Sequence, residues 1–162
     1  MKPAWLEIAE GYIGTKEIAG AGNSPVITKW LISLKAWWRD DLTPWCGVFC
    51  GECMRQAGVS YPKAYYRAGA WLDWGRTLDE PLLGCIAVKS RKGGNHVFLV
   101  AGISQDGNSV IGLGGNQHDS VSYAVFNYSE ITGWRWPFGI PLGDPLPVVN
   151  TNVILARPEK LS

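Results

Sequence analysis

The sequence predicts an α+β domain, with N-terminal helices packed on an antiparallel β-meander. Two observations carry this expectation. As far as Trp74 the apolar residues recur at helical spacing, and from Cys85 they alternate with a period of about two. Helices come first and strands follow, which fits segregated α and β layers rather than alternating βα units. At 162 residues the chain is expected to form one domain over residues 1–139, with a proline-containing tail or linker over 140–162.

The helices have readable starts and stops. Pro3–Tyr12 places Trp5, Ile8, Ala9 and Tyr12 on one side, and Gly11 and Gly14 close it. The Gly-rich segment Ile18–Ser24 reads as a loop. Ser24 followed by Pro25 is a cap and first-turn signal for a second helix through Lys35. Its apolar face is Val26, Ile27, Trp30, Leu31 and Leu34. A third helix is expected to start at Thr43 as cap and Pro44 in the first turn, and to end at Gly58 in a left-handed conformation. A short helix over Ala68–Trp74 follows. Strands are expected at Cys85–Lys89, His96–Ile103, Ser109–Leu113, Ser120–Phe126 and Gly133–Pro137. Ser90–Asn95 reads as a hairpin loop, Gln105–Asn108 as a tight turn, and Gly114–Gln117 as a break in the pattern.

Composition excludes several classes of function. The net charge is +1 with no basic stripe, so nucleic acid is not an expected partner. No run approaches the ~18 apolar residues of a membrane span. Glu7 and Glu10 interrupt the N-terminal apolar stretch, so no signal peptide is read there and synthesis in a bacterial cytoplasm is expected. The two histidines, His96 and His118, and the four cysteines lack metal-ligand spacing, so neither a metal nor another cofactor is expected. Cys50 and Cys53 form a C-x-x-C pair that begins inside the third helix rather than at its start, which makes a redox role a minor alternative.

One constellation carries chemistry. Cys46 falls in the first turn of the third helix, where the helix dipole and free backbone N–H groups favour a thiolate. The plain alternative is a small buried residue. His96 opens a strand after a Gly-Gly-Asn loop, and Asn116 lies just beyond the end of the next strand. Neighbouring antiparallel strands bring the start of one beside the end of the other, so His96 and Asn116 are expected at one sheet edge. A cysteine nucleophile needs a base and the base an orienting group, and an Asn amide fills that last role without adding charge. Asn116 also reads as a plain turn residue beside Gly115, and His118 reads as a surface histidine.

The segments TPWCGVFCGECMRQAG, AWLDWG, GCIAV, HVFLVAG, LGGNQHDSVS and GWRWP occur in order, after GTKEIAGAGNSPVITKWL. Over residues 1–138 the chain resembles the papain-like NlpC/P60 and CHAP amidases and peptidases. It is most similar to a CHAP-related family found in phage and prophage lysis genes. The resemblance implies a papain-like fold and an enzyme that cuts an amide bond of bacterial peptidoglycan. It implies Cys46 as nucleophile, His96 as general base and Asn116 as orienting residue, with Trp45, Asn95 and Gln117 along the substrate cleft; Trp45 reads equally as a residue that packs the core. It implies a monomer without cofactor, reaching the wall through a holin or as a toxin with an immunity partner. Two positions depart from the family pattern: Asn95 stands where many members have Gly, and Gly114 where a carboxylate is common. A non-catalytic wall-binding module and a thiol redox protein using Cys50 and Cys53 are the alternatives.

Overall fold

The computed structural model describes residues 1–18, 23–39 and 44–156. It is an α+β structure with helices packed against an open, mainly antiparallel sheet. Helix α1 spans Ala4–Gly11, α2 Pro25–Ser33 and α3 Cys46–Gln56. A 3-10 turn, Ala68–Asp73, leads to the first strand. The strands are β1 (Arg76–Leu78), β2 (Ile86–Arg91), β3 (Gly94–Ser104), β4 (Ser109–Gln117), β5 (Ser120–Asn127), β6 (Ile131–Trp136) and β7 (Val148–Val149), and α4 covers Thr151–Ala156.

Local chemistry accounts for the helix ends. The Ser24 side chain accepts a hydrogen bond from the Ile27 N–H at 3.4 Å, and Pro25 fills the first turn. Helix α3 begins later than expected. Pro44 precedes it, Trp45 is its N-cap without a side-chain cap bond, and the expected cap Thr43 lies outside the described residues. Gly58 follows α3 with φ of 73°, so the left-handed stop is real.

The sheet runs in the order β1-β6-β2-β3-β4-β5. The β2–β3 turn is tighter than the expected six-residue loop, because the strands stay paired as far as Arg91 and Gly94. The turn at Gln105–Asn108 forms as expected, with Asp106 accepting from the Ser104 hydroxyl and the Asn108 N–H. Strand β4 runs through the expected break to Gln117, with a register shift between Gly114 and Gln117.

The segment after Gly139 is not a free linker. Val148 and Val149 pair in parallel with Ile103 and Ser104 at the end of β3. Leu83 N–H donates to the Asp144 carbonyl, Ile103 N–H to that of Pro147, and the Trp136 indole to that of Ile140. Ile154 of α4 is buried. Residues 157–162, the end of the expected tail, lie outside the described residues.

One core joins the layers. Trp5, Leu6, Ile27, Trp30, Trp45, Phe49 and Met54 of the helical layer meet Ile86, Val88, Val97, Leu99 and Leu113 of the sheet. The two faces of the sheet are distinguishable. Tyr123, cross-strand partner of Leu113, donates to Glu10 of α1, so Leu113 and Tyr123 look toward the helices. Gly112 and Gly114 look the other way, onto Phe98. On that second face Phe98 and Phe126 stack with centroids 4.2 Å apart.

Candidate functional site

Helix α3 presents Cys46 in its first turn, as its sequence pattern requires. Its start lies over the end of β4: a Cβ on Gly115 would meet Phe49 and Trp45 atoms at 2.7–2.8 Å. Only a glycine lets the helix come that close. Gly47 serves the same purpose on the flank, where a Cβ would run into the Tyr65 carbonyl oxygen. Cys46 itself is 3% exposed. As first residue of the helix, its backbone N–H has no intrahelical acceptor.

His96 sits at the start of β3, which is the strand end beside the end of β4, since Leu99 pairs with Leu113 and Val100 with Gly112. Cys46 and His96 therefore lie at the same end of the sheet. They lie on opposite faces. The His96 ring stacks on Phe98 at 5.7 Å and packs against Phe126, on the face turned away from α3. Its Nε2 bonds Gln117 Oε1 at 2.9 Å, and its Nδ1 is buried with no hydrogen-bond partner. Neither ring nitrogen touches the thiol of Cys46. The expected Cys46–His96 pair is not assembled in this structure, and the physical reason is strand parity. Asn95, one residue earlier, takes the helix-side direction, with Nδ2 3.0 Å from where a Gly69 Cβ would be.

Gln117, not Asn116, orients the histidine. The register shift at the end of β4 folds the Gln117 side chain back over Gly114, whose missing Cβ leaves the room. Its Nε2 donates to the carbonyls of Ser122 at 2.7 Å and Gly112 at 3.3 Å. Two carbonyl acceptors fix which end of the amide is nitrogen, so Oε1 faces His96 as an acceptor. His96 Nε2 must then carry the proton, and Nδ1 is left as a bare lone pair. Burial pushes the His96 pKa down to about 4; the Gln117 bond opposes this, and nearby Arg91 and Lys89 add to it. The ring is therefore neutral at pH 7.

The remaining expected site residues separate. Asn116 has φ of 61° and lines a cleft with His96, Gln117, His118, Lys89, Arg91, Ala124 and Phe126. Trp45 is buried, packs on Trp30 and donates its indole N–H to Glu17 at 2.8 Å, so it braces the helix start rather than walling a cleft. Cys50 and Cys53 are fully buried, and burial pushes both thiols well above their usual range. Neither is poised for thiol exchange. The sequence reading missed Lys89 and Arg91 as members of the cleft. Their signal was their place on β2, two residues apart, where a period of two puts them on one face. Among the described residues no group of histidine, cysteine or carboxylate side chains could hold a metal ion, and no helix is long and apolar enough to cross a membrane. No family model, no curated protein and no solved structure matches the chain.

Proposed function

We propose that this chain is a papain-like cysteine hydrolase that cuts an amide bond of bacterial peptidoglycan. The observation that carries the reading is Cys46 in the first turn of α3, over the same end of the sheet at which β3 brings in His96. There an imidazole has one nitrogen fixed by a rigid amide and the other bare. The ordered sequence motifs over residues 1–138 support the substrate class.

In the reaction, the Cys46 sulfur attacks the scissile carbonyl, and its proton passes to His96 Nδ1. His96 then gives that proton to the leaving amine as the C–N bond breaks. Water, deprotonated by His96, releases the acyl group and restores the thiol. The Cys46 N–H donates to the oxyanion. The reaction requires His96 on the face of Cys46. In the structure His96 is on the other face, bound to Gln117 and paired with Lys89, so the reaction requires the start of β3 to give up both and reverse its facing.

A second reading has its own support. The separation of Cys46 from His96 favours a domain that binds the wall without cutting it. One experiment decides. Purified peptidoglycan is incubated with the wild type, Cys46→Ala and His96→Ala, and new amino groups and muropeptide masses are measured. The hydrolase reading expects turnover by the wild type and a loss of at least about a hundredfold in each variant. Turnover at the wild-type rate in Cys46→Ala overturns it. Sedimentation with cell walls and no new amino groups from any of the three establishes the binding reading.

A further inference from the structure

We propose that the aromatic row Trp37–Trp38–Tyr66, which is rooted at the start of α3, is a platform on which the sugar rings of a glycan strand stack. This surface rests on the peptidoglycan reading and deepens it, because it holds the sugar strand of the wall and not its peptide.

Position is the first reason. Of nine tryptophans seven are buried and Trp38 is half-buried, while Trp37 is 88% exposed. A single exposed apolar side chain is ordinary. Trp37 is not single. Its ring meets Trp38 with centroids 5.3 Å apart, and Trp38 meets Tyr66 at 5.3 Å. Tyr66 meets Tyr65 at 5.4 Å, and Tyr65 meets Tyr61 at 5.9 Å. Tyr65 roots the row. It is buried, its ring lies on Gly51, and its carbonyl lies on Gly47, the residue after Cys46. From there the rings lead outward through Tyr66, which is exposed, to Trp37.

Rigidity is the second reason. Each contact in the row is edge-to-face, with interplanar angles of 69–87°, an arrangement that aromatic quadrupoles favour. The Tyr65 carbonyl accepts from the Trp71 indole at 3.0 Å, and the Trp38 carbonyl from the Arg39 guanidinium at 2.8 Å. The exposed rings are thus held in place before a ligand arrives, and covering them costs little further ordering of side chains.

Chemistry selects the occupant. A pyranose has a face of C–H groups and an edge of hydroxyls. Its C–H face meets the electron-rich face of an indole or phenol, and its hydroxyls stay in water. Trp37 and Tyr66, both in contact with Trp38, offer two such rings to a ligand built of repeated rings. Two exposed rings are too small an area for a stable protein interface. The net charge of +1 provides no basic groove for a nucleic acid strand. The rings stand on the connectors after α2 and α3, not on an amphipathic helix that could lie in a membrane surface.

The test titrates chitohexaose, a soluble peptide-free oligomer of N-acetylglucosamine, into the full-length protein. Heat is followed by calorimetry and the Trp37 indole N–H by NMR. The expected result is saturable binding with a shift at Trp37. Trp37→Ala should weaken binding about fivefold or more, the loss of one stacked ring. Trp37→Phe should keep most of the affinity. Trp37→Leu should not, since leucine supplies apolar area without a ring face. Phe138→Ala, exposed and outside the row, should bind as the wild type does. No saturation, unchanged binding to Trp37→Ala, or equal affinity of Trp37→Leu and wild type overturns the proposal. So does a Trp37 shift produced by oligo(dT) or anionic lipid vesicles and not by the sugar. Failure of the peptidoglycan reading shows separately: the wild type neither cleaves walls nor sediments with them, whatever the oligosaccharide does.

Discussion

At the scale of single residues, His96 makes the strongest statement. Its ring is buried, neutral and stacked on Phe98 and Phe126, with its pKa pushed down from 6.5 to about 4. In the unfolded chain the same group binds a proton near pH 6.5, so between these values the unfolded state holds more protons than the fold. Stability then rises with pH across that window. It is fully present above about pH 6.5 and is lost as the pH falls toward 4. The full shift corresponds to roughly 3 kcal/mol. Urea unfolding at pH 7.5, 6, 5 and 4 should show this loss in the wild type and a shallower one in His96→Gln. Identical pH slopes in the two proteins would mean that the histidine is charged in the fold.

At the scale of elements, α3 is held by absence of side chain as much as by apolar contact. Gly47 faces the Tyr65 carbonyl and Gly51 faces the Tyr65 ring, so the connector after α3 lies directly on the helix. Gly47→Ala gains helix propensity of up to about 1 kcal/mol but forces a methyl into that carbonyl, and overpacking of this kind costs ~1–3 kcal/mol. A net loss of about 1–2 kcal/mol in urea melts is expected. Gly58→Ala meets no atom within 4 Å and suffers only its positive φ, so it should lose less. Equal stability of Gly47→Ala and wild type would show that the connector moves aside freely.

These elements also show what a sequence can and cannot reveal. The Ser24–Pro25 start, the Gly58 stop and the Asp106 turn were legible because each rests on local backbone chemistry. The face of His96 was not. Val97, Phe98, Leu99 and Val100 are all fully buried, so the strand has no alternation from which parity can be read. Asn95 and His96 are both polar, and either could have faced α3. Gln117 was hidden differently. Gly114–Gln117 looked like a break, and only the register shift of β4 turns that glutamine back onto the histidine. Strand β1 has three residues, too few to carry a period.

At the scale of the whole molecule, the docked C-terminal segment departs furthest from expectation, because prolines suggested an extended linker and the fold uses them differently. Pro147 supplies the carbonyl that accepts from Ile103, and a proline needs no partner for an N–H it lacks. The segment closes the side of β3 that β2 leaves open, covers Trp136 through Gly143, and ends with Ile154 buried. A chain stopped after Gly139 would expose the Trp136 ring and leave the Leu83 and Ile103 N–H groups and the Trp136 indole without their carbonyl partners. Three lost hydrogen bonds and partial exposure of one indole come to roughly 3–5 kcal/mol. For a domain of this size that lowers the melting temperature by about 10 °C. Calorimetry of the shortened and full chains measures it directly. A melting temperature within about 2 °C of the full chain would show that the segment rests on the body without stabilising it. A fall of the expected size makes β7 and α4 part of the domain, and moves its boundary from Gly139 to the far side of Ile154.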